Sequence, residues 1–251
     1  MKKLAYIILM LLSSLNIDAQ SQQDLFKQAN ELYKKGNYQE AIDSYEKALQ
    51  QKKISPELYF NLANSYYKIN KIAPSIYYYE KALELKPNDE DIQYNLALAN
   101  KMKMDKIEAV PTGFSRKIEE AVSSIFQTDT WAMLTVFWSF LGLITFIIFL
   151  FSNKSNYKRG AFALMFVSLF LLLFSWYFSK ISQKISQEKF AIIFVPKAEL
   201  MAEPNLTSDK VVDLHEGTKI QILKQDEDWD LVKLPDGKKA WVVKSDVRVL
   251  D

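Results

Sequence analysis

The stretch FKQANELYKKGNYQEAIDSYEKAL, from Phe26 to Leu49, decides the architecture of the first part of the chain. It returns 34 residues later as FNLANSYYKINKIAPSIYYYEKAL, from Phe60 to Leu83. The two copies agree in residue type and not only in polarity, with aromatic residues at the same positions and alanines between them. A period of this length predicts helix pairs that stack on one another and bury a continuous core.

The period and its residue pattern resemble the tetratricopeptide repeat family. On this pattern the repeats occupy residues 22–55 and 56–89, and a partial third copy begins a capping helix over residues 90–107. Gly36 and, in the second copy, Asn70 fall at the turn between the paired helices, where a positive φ is needed. We therefore expect an all-α solenoid over residues 20–107, of modest stability because about three repeats are needed to cover the stacked apolar faces.

The resemblance also implies a binding groove, because the first helix of each repeat in this family lines a concave surface for an extended peptide or a partner helix. The implied lining is Phe26, Asn30, Tyr33, Phe60, Asn61, Asn64, Tyr67, Tyr94 and Asn95. Asparagine can pair with a peptide backbone as donor or acceptor, and tyrosine gives contact area at low entropic cost. Packing between helices is the alternative for the three first-position aromatics. Some family members hold C-terminal carboxylates with basic residues, but Phe26, Asp91 and Asn95 occupy those positions here.

Two apolar runs, residues 131–151 and 161–178, contain no charged residue. Lengths near 20 residues match a hydrocarbon core of about 30 Å, so both runs are predicted to be transmembrane helices. Residues 152–160 between them carry Lys154, Lys158 and Arg159 and no acidic residue, which is typical of a cytoplasmic loop. On the first span, Thr135, Ser139 and Gly142 suit close helix packing. Aromatic residues at the span ends are expected at the membrane interface, namely Trp131, Trp176 and Tyr177.

The N-terminus has the features of a secretory signal peptide over residues 1–19, with Lys2 and Lys3 before an apolar run. An uncleaved anchor is the alternative, and both outcomes carry the following residues across the membrane. Together with a cytoplasmic loop, this predicts a two-pass inner (cytoplasmic) membrane protein with both terminal domains in the periplasm. Lys180, Lys184 and Lys189 after the second span weaken the charge contrast that supports this orientation.

Residues 108–130 are predicted to form an amphipathic juxtamembrane linker. Pro111 and Gly113 interrupt helical periodicity at its start. An apolar stripe follows at spacings of three to four residues, made of Phe114, Ile118, Val122, Ile125 and Phe126. Two interpretations stay open: the stripe lies along the membrane surface, or it packs against the repeat domain.

Beyond residue 190 the pattern changes to period two, and AIIFV, KIQILK, WDLVKL and AWVV are predicted strands, with an Asp236-Gly237 hairpin turn before the last. The motifs KAELMAEPNLTSDKV, LHEGTKIQIL and DEDWDLVKLPDGKKAWV resemble bacterial SH3-like domains. The resemblance implies a small all-β barrel over residues 190–251, with Trp229 and Trp241 as a partner-binding aromatic platform. The alternative is that both tryptophans belong to the barrel core.

Composition and motif spacing argue against catalysis. The chain has no cysteine and one histidine, so thiolate chemistry and multi-histidine metal sites are not expected. The six glycines never show phosphate-loop spacing, and His215-Glu216 lacks the metalloprotease pattern. A net charge of +2 offers no field for nucleic acid. We therefore expect no enzyme activity, cofactor, metal or nucleic-acid partner; a membrane enzyme with unrecognised carboxylates has no motif behind it.

The order of modules resembles the E-type proteins of the Bacteroides aerotolerance (Bat) operon. The fold class expected is a multi-domain membrane protein with a tetratricopeptide solenoid, a two-helix transmembrane hairpin and an SH3-like barrel. The resemblance implies a non-enzymatic inner-membrane adaptor that works beside von Willebrand A-domain membrane proteins and a MoxR-type ATPase in aerotolerance, oxidative stress or envelope stress. The alternative function is a cell-wall sensor whose SH3-like domain binds peptidoglycan.

Overall fold

The computed structural model of the protein describes residues 23–51, 54–108, 110–111 and 113–250. These residues form two compact units. The repeat–sheet unit combines the described residues of Met1–Ala109 with those of Lys189–Asp251, and the hairpin unit is Val110–Glu188. The predicted signal peptide, residues 1–19, lies outside the described residues.

The repeats form five helices: α1 over residues 23–34, α2 Tyr38–Gln50, α3 Pro56–Lys68, α4 Ile72–Leu85 and α5 Glu90–Lys101. The Ser55 hydroxyl accepts a hydrogen bond from Leu58 N (3.1 Å) and so caps the start of α3. The turns after α1 and α3 have positive φ at Gly36 (+83°) and Asn70 (+59°), which confirms the turn positions expected from the repeat pattern.

The core of the repeats lies between paired helices. Its largest fully buried side chains are Ile42, Tyr45, Leu62, Ile76 and Tyr79. Alanines at the helix contacts, such as Ala29 and Ala63, are also fully buried, because small side chains let the helices approach. The spacing of apolar residues in the sequence therefore matches the buried face of each helix.

Helix α5 ends at Lys101, six residues before the end of the predicted capping helix at 107. The chain leaves the helix because residues 102–108 turn to the C-terminal sheet. Asp105 accepts hydrogen bonds from the backbone and ring of His215, and Ile107 packs against the core of the sheet. Contacts with residues distant in sequence thus override the local helical pattern.

The C-terminal strands are β1 Lys189–Ile193, β2 Lys197–Met201, β3 Lys210–His215, β4 Lys219–Gln225, β5 Trp229–Lys233, β6 Lys239–Val243 and β7 Val247–Leu250. They form one antiparallel sheet in the order β3-β2-β6-β5-β4-β1-β7. The four predicted strands correspond to β1, β4, β5 and β6, and Gly237 lies in the turn between β5 and β6 as expected. Strands β2, β3 and β7 were not predicted, because charged residues interrupt their short apolar runs.

Strand β1 contributes to two cores. Ala191 and Ile193 are buried in the sheet core with Leu200, Ile220 and Val242. Ile192, on the opposite face of the strand, is buried in the repeat core, where Phe190 and Phe194 also pack. Successive strand residues point to opposite faces, so one short strand joins the sheet to the repeats.

The hairpin unit contains α6 Phe114–Ser123, α7 Thr128–Phe151 and α8 Ser155–Ser186. Among the described residues, α7 and α8 are the helices long and apolar enough to cross a membrane. Both extend past the predicted spans of 131–151 and 161–178, and the predicted loop of 152–160 is reduced to residues 152–154. Hydropathy marks only the apolar part of a helix, whereas backbone hydrogen bonds continue α8 through polar residues at both ends.

Helices α7 and α8 contact each other along a seam of small residues that repeats every seven positions. Thr128 Oγ1 lies 2.8 Å from Ser182 Oγ, and Thr135 Oγ1 lies 3.1 Å from Ser175 Oγ. One heptad further, a Cβ on Gly142 would lie 3.1 Å from Ser168 Oγ, so the backbones are in close approach. A seven-residue repeat produces a left-handed antiparallel pair.

Two residues of the hairpin differ from expectation. Ser139 was predicted to pack against the second span together with Thr135 and Gly142, but it is exposed. The heptad seam continues from residue 135 through residue 138 to residue 142, so position 139 lies beside the contact. Trp131, expected at the interface, is buried against Phe178, and its Nε1 donates to Ser123 O (3.1 Å). It therefore packs inside the unit, whereas Trp176 and Tyr177 are exposed.

Candidate partner-binding surfaces

Three asparagines of the predicted groove meet on the first helices of the repeats. Asn61 Nδ2 on α3 donates to Asn30 Oδ1 on α1 (3.0 Å), and all three asparagines, with Asn64, are half-buried. Two buried tyrosines hold the amides: Tyr45 OH donates to Asn30 Oδ1 (2.6 Å), and Tyr79 OH donates to Asn64 Oδ1. We call Asn30, Asn61 and Asn64 the asparagine row.

The tyrosine contacts fix which way the amides face. Because the Oδ1 atoms of Asn30 and Asn64 accept bonds from within the repeats, each Nδ2 group is turned away from its tyrosine. Burial raises the pKa of Tyr45 and of Tyr79, so both hydroxyls stay protonated and act as donors. The sequence allowed asparagine to pair with a peptide in both directions. These contacts leave the N–H donors of Asn30 and Asn64 for a ligand, whereas one N–H of Asn61 is used within the row.

The aromatic residues of the predicted groove divide into two groups. Phe26 and Phe60 are half-buried and pack against Tyr45 and Tyr79, each pair with ring centroids 5.9 Å apart. Phe26 and Phe60 therefore contribute to packing between helices, which was the alternative to their predicted role in lining the groove.

The remaining members of the predicted groove are less uniform. Tyr33 packs against Tyr38, Tyr67 lies half-buried near Ile72, and Tyr94 is 65% exposed on α5. Asn95 Nδ2 donates to Asp91 O of its own helix (2.8 Å), so this amide is turned along α5 and is not joined to the asparagine row.

A second candidate surface lies on the outward face of the sheet. Trp241 pairs with Leu231 across β6 and β5, and Trp229 pairs with Val243. The neighbouring positions Val232 and Val242 are buried, so the tryptophans are on the face opposite the core and are half-buried. This arrangement disagrees with the interpretation that both tryptophans are core residues. Lys224 lies 5.8 Å above the Trp241 ring, where a cation is attracted to the π face.

The repeats and the sheet are joined by a carboxylate that no sequence motif singles out. Asp105 Oδ2 accepts bonds from His215 N (2.6 Å) and Thr218 Oγ1 (2.7 Å), and Oδ1 lies 2.8 Å from His215 Nδ1. Burial raises the pKa of Asp105, but the backbone bond from His215, the Thr218 hydroxyl and the His215 ring lower it further, so the net pKa lies below its ordinary value. We call this arrangement the Asp105 junction.

Other contacts surround the Asp105 junction. Lys219 Nζ on β4 lies 2.7 Å from Glu80 Oε2 on α4, and the Arg248 guanidinium lies 5.0 Å from the centre of the Tyr77 ring. Gly217, with φ +86°, is buried against α4; a Cβ there would lie 3.0 Å from Ile76 Cδ1. The sheet thus docks on the second helix of the second repeat and not on the asparagine row.

The described residues contain no cluster of three or more histidine, cysteine or acidic side chains that could hold a metal ion. One isolated carboxylate is notable: Asp230 on β5 is fully buried, and neither of its oxygens has a hydrogen-bond partner among the described residues. Burial raises the pKa of Asp230, and nearby Lys244 and Gln225 offset this only in part. A single carboxylate of this kind has no second group with which to share acid–base chemistry.

Comparison with known families identifies the helical module. A family model described as TPR repeat matches residues 29–70, and one described as tetratricopeptide repeat matches residues 56–89. The chain therefore contains tetratricopeptide repeats, as the sequence period predicted. These repeats mediate protein binding and support the role of a protein–protein interaction adaptor.

Comparison with curated proteins finds no match. Similar solved structures include an NlpC/P60 family protein from Bacillus cereus ATCC 10987, at 27% identity and TM-score 0.22, covering 27% of this chain and 22% of that chain. Another is the first TPR of Spaghetti (RPAP3) bound to the HSP90 peptide SRMEEVD, at 24% identity and TM-score 0.24, covering 33% of this chain and 92% of that chain. This chain thus spans under a quarter of the length of the Bacillus protein.

Proposed function

We propose that the protein is a non-enzymatic membrane adaptor whose tetratricopeptide groove binds an extended segment of a partner membrane protein. The observation that carries this proposal is the asparagine row, in which Tyr45 holds the Oδ1 atom of Asn30 and Tyr79 holds that of Asn64. Amides fixed in this way offer N–H donors to the carbonyls of an extended chain without further ordering, which lowers the entropic cost of binding. The sheet docks on the opposite helices, so it leaves the row open to a ligand.

The anchoring part of the proposal rests on the connection between repeats and sheet. The Asp105 junction and the Ile192 side chain hold the two together in one unit, so both must lie on the same side of any membrane. An even number of crossings between them satisfies this condition, and α7 and α8 supply two. The predicted signal peptide and the basic residues near 152–160 support a periplasmic location for the unit in the inner membrane.

The partners proposed are those of a Bat-type complex, namely von Willebrand A-domain membrane proteins and the associated MoxR-type ATPase system. The order of the repeats, the apolar hairpin and the C-terminal sheet supports this assignment. An adaptor of this kind raises the effective concentration of its partners near one membrane, which assists assembly without catalysis. Tolerance of oxygen or of envelope stress would then depend on the assembled complex.

In vivo cross-linking followed by detergent purification of the full-length protein tests the groove. We expect a von Willebrand A-domain membrane protein to be recovered, and Asn64→Ala combined with Tyr67→Ala to reduce its recovery at least about tenfold, because groove residues carry the binding energy. The matched control is Asp43→Ala with Lys47→Ala, both exposed on the outer side of α2. Equal recovery by the two double variants would contradict a role for the groove, and absence of such a protein from the parent sample would contradict a Bat-type complex.

Cysteine labelling tests the topology, because the natural chain contains no cysteine. A membrane-impermeant maleimide added to intact spheroplasts should label Ser208→Cys in the loop between β2 and β3 and leave Asn153→Cys between α7 and α8 unlabelled. Labelling of Asn153→Cys together with protection of Ser208→Cys would reverse the orientation.

Peptidoglycan binding is a second candidate function, favoured by the outward face of Trp229, Leu231 and Trp241. Half-buried aromatic rings, with Lys224 over that of Trp241, suit stacking on sugar rings or binding of an acidic peptide stem. Purified wall material should then retain the detergent-solubilised full-length protein, and Trp229→Ala with Trp241→Ala should release it. Leu206→Ala, in an exposed loop, is the control that should leave retention unchanged.

A further inference from the structure

Helix α6 contacts α8 through its polar side. Arg116 Nε lies 2.7 Å from Glu120 Oε1, and Arg116 Nη2 lies 3.2 Å from Glu188 Oε1 just after α8. Tyr177 OH on α8 donates to Glu119 Oε1 (2.8 Å), and Ser123 at the end of α6 is buried. The contacts between α6 and α8 are therefore made by charged and hydroxyl groups.

The apolar side of α6 faces away from these contacts. Phe114 is 80% exposed and Ile118 is 44% exposed, and the stripe continues past the helix end to Ile125, which is 61% exposed. Ile118 precedes Glu120 by two residues, which is a rotation of about 200° on an α-helix, so the stripe and the polar contacts lie on opposite sides. A helix in water normally buries its apolar stripe, whereas α6 exposes its stripe and turns its polar side to α8.

The position of α6 along the hairpin identifies what covers the stripe. Its contacts on α8 lie between Tyr177 and Glu188, which is where the predicted apolar span at 178 ends. Only residues 124–127 separate α6 from α7, and Phe126 packs on Trp131 with ring centroids 5.2 Å apart. The stripe thus leads within a few residues into α7, whose large apolar residues are exposed from Met133 onward.

We propose that α6 lies in the plane of the membrane surface, with Phe114, Ile118 and Ile125 inserted about 5–10 Å into the boundary between headgroups and acyl chains. The inference rests on the proposed crossing of the membrane by α7 and α8, and it commits to lipid as the occupant of the stripe. The Arg116–Glu188 ion pair and the Tyr177–Glu119 hydrogen bond fix the orientation of α6 about its own axis. The stripe is therefore directed to lipid.

Spin labelling of the full-length protein in phosphatidylcholine–phosphatidylglycerol vesicles tests this. Single variants Phe114→Cys, Ile118→Cys and Glu120→Cys are compared, with Phe140→Cys on α7 as the reference for the hydrocarbon core. Oxygen, which concentrates in lipid, should relax the labels at 114 and 118 more than a water-soluble nickel chelate does. The label at 120, on the polar side, should show the opposite order, because Glu120 retains 42% exposure.

The outcomes separate this inference from the proposed anchoring. If the label at 140 reads hydrocarbon while those at 114 and 118 are accessible to nickel, α6 lies in water and the inference fails alone. If those two labels are protected from both reagents, protein covers the stripe and the inference again fails. If the label at 140 is itself in water, the proposed anchoring fails as well.

A charge in the stripe supplies a second test that does not require a label on Ile118. Ile118→Glu should move a label at position 114 from oxygen-accessible to nickel-accessible, because a carboxylate is costly in the acyl region. Ser124→Glu, exposed and off the stripe, should leave the label at 114 in lipid. An unchanged reading at 114 in both variants would overturn the proposal.

Discussion

The repeat–sheet unit and the hairpin unit are built in opposite ways. In the first, aromatic and aliphatic residues such as Tyr79, Ile76 and Ile192 are fully buried. In the second, the buried positions include Ser168 and Ser175, whereas most phenylalanines and many leucines are exposed. Small hydroxyl residues make the helix contacts of the hairpin, and large apolar residues make those of the repeats.

If α7 and α8 cross a membrane as proposed, the difference follows from the solvent around each unit and not from the secondary structure. Water drives large apolar side chains of the repeats together, at roughly 25 cal/mol for each square ångström removed from water. Between two helices in lipid that driving force is absent, so close backbone approach and hydroxyl bonds hold them instead. Helix α6 has its polar side toward α8, so its helix contacts are polar like those between α7 and α8, and not apolar like those of the repeats.

The strongest test of this contrast removes one aromatic side chain from each unit. Tyr79→Ala should destabilise the repeat–sheet unit by about 3–5 kcal/mol, because it leaves a cavity and removes the partner of Asn64. Phe140→Ala, at a 61% exposed position of α7, should change stability by less than about 0.5 kcal/mol. Urea denaturation followed by pulse proteolysis in detergent measures both, and equal effects would break the comparison.

A second test concerns the polar contact within the repeat–sheet unit. Asp105→Ala should cost about 2–3 kcal/mol at neutral pH, since it leaves the His215 N–H and the Thr218 hydroxyl without their acceptor. The folded-state pKa of Asp105 is depressed, so its contribution is present above the unfolded value of about 3.9 and is lost as pH falls through the lower folded value. Denaturation from pH 7 to pH 2 should show parent and variant converging at the acid end. A gap that widens toward acid would contradict this sign.

A third test enlarges a contact in the seam of the hairpin. Gly142→Leu should separate α7 from α8 and cost about 1–3 kcal/mol, because Ser168 leaves no room for a larger side chain. Cysteines introduced at Thr128 and Ser182, whose hydroxyl oxygens are 2.8 Å apart in the parent, report the separation as slower disulfide formation. Leu143→Phe, on the exposed side, is the control that should keep the parent rate.

The smallest expected effect has the opposite sign. Asp230→Asn should stabilise the protein by about 1–2 kcal/mol at neutral pH, because it removes a charge that burial disfavours. The folded pKa of Asp230 is raised, so the residue is tolerated when protonated at acid pH and becomes unfavourable as pH rises through that value. Thermal unfolding should therefore show a gain at pH 7 that disappears near pH 3. Asp236→Asn, in the β5–β6 turn, should show no such gain.

Sequence periodicity predicted the parts of the fold that depend on local pattern. The 34-residue repeat located α1 to α4 and the turns at Gly36 and Asn70, and apolar composition located α7 and α8 but not their polar ends. Strand alternation found β1, β4, β5 and β6. The remaining strands carry too many charged residues for a period-two signal to stand out.

Features that depend on distant contacts could not be predicted in this way. Asp105 and His215 are 110 residues apart, and neither carries a motif that would pair them. The orientation of Asn30 depends on Tyr45, although the recurrence of both at 34 residues was a signal that a tyrosine–asparagine pair is built into each repeat. The groove residues and the tryptophan platform stay predictions whose test is binding.

Strand β1 links folding of the repeats to synthesis of the hairpin, because it follows α7 and α8 in the chain and packs on the repeats. Ile192 completes the repeat core, yet the ribosome makes it only after both helices of the hairpin. In the proposed topology, part of the apolar surface of the repeats therefore stays uncovered until α7 and α8 have entered the membrane and β1 has been made. A nascent chain that fails to complete the hairpin keeps this surface exposed to chaperones and proteases. Docking of β1 therefore protects only chains in which the hairpin is complete.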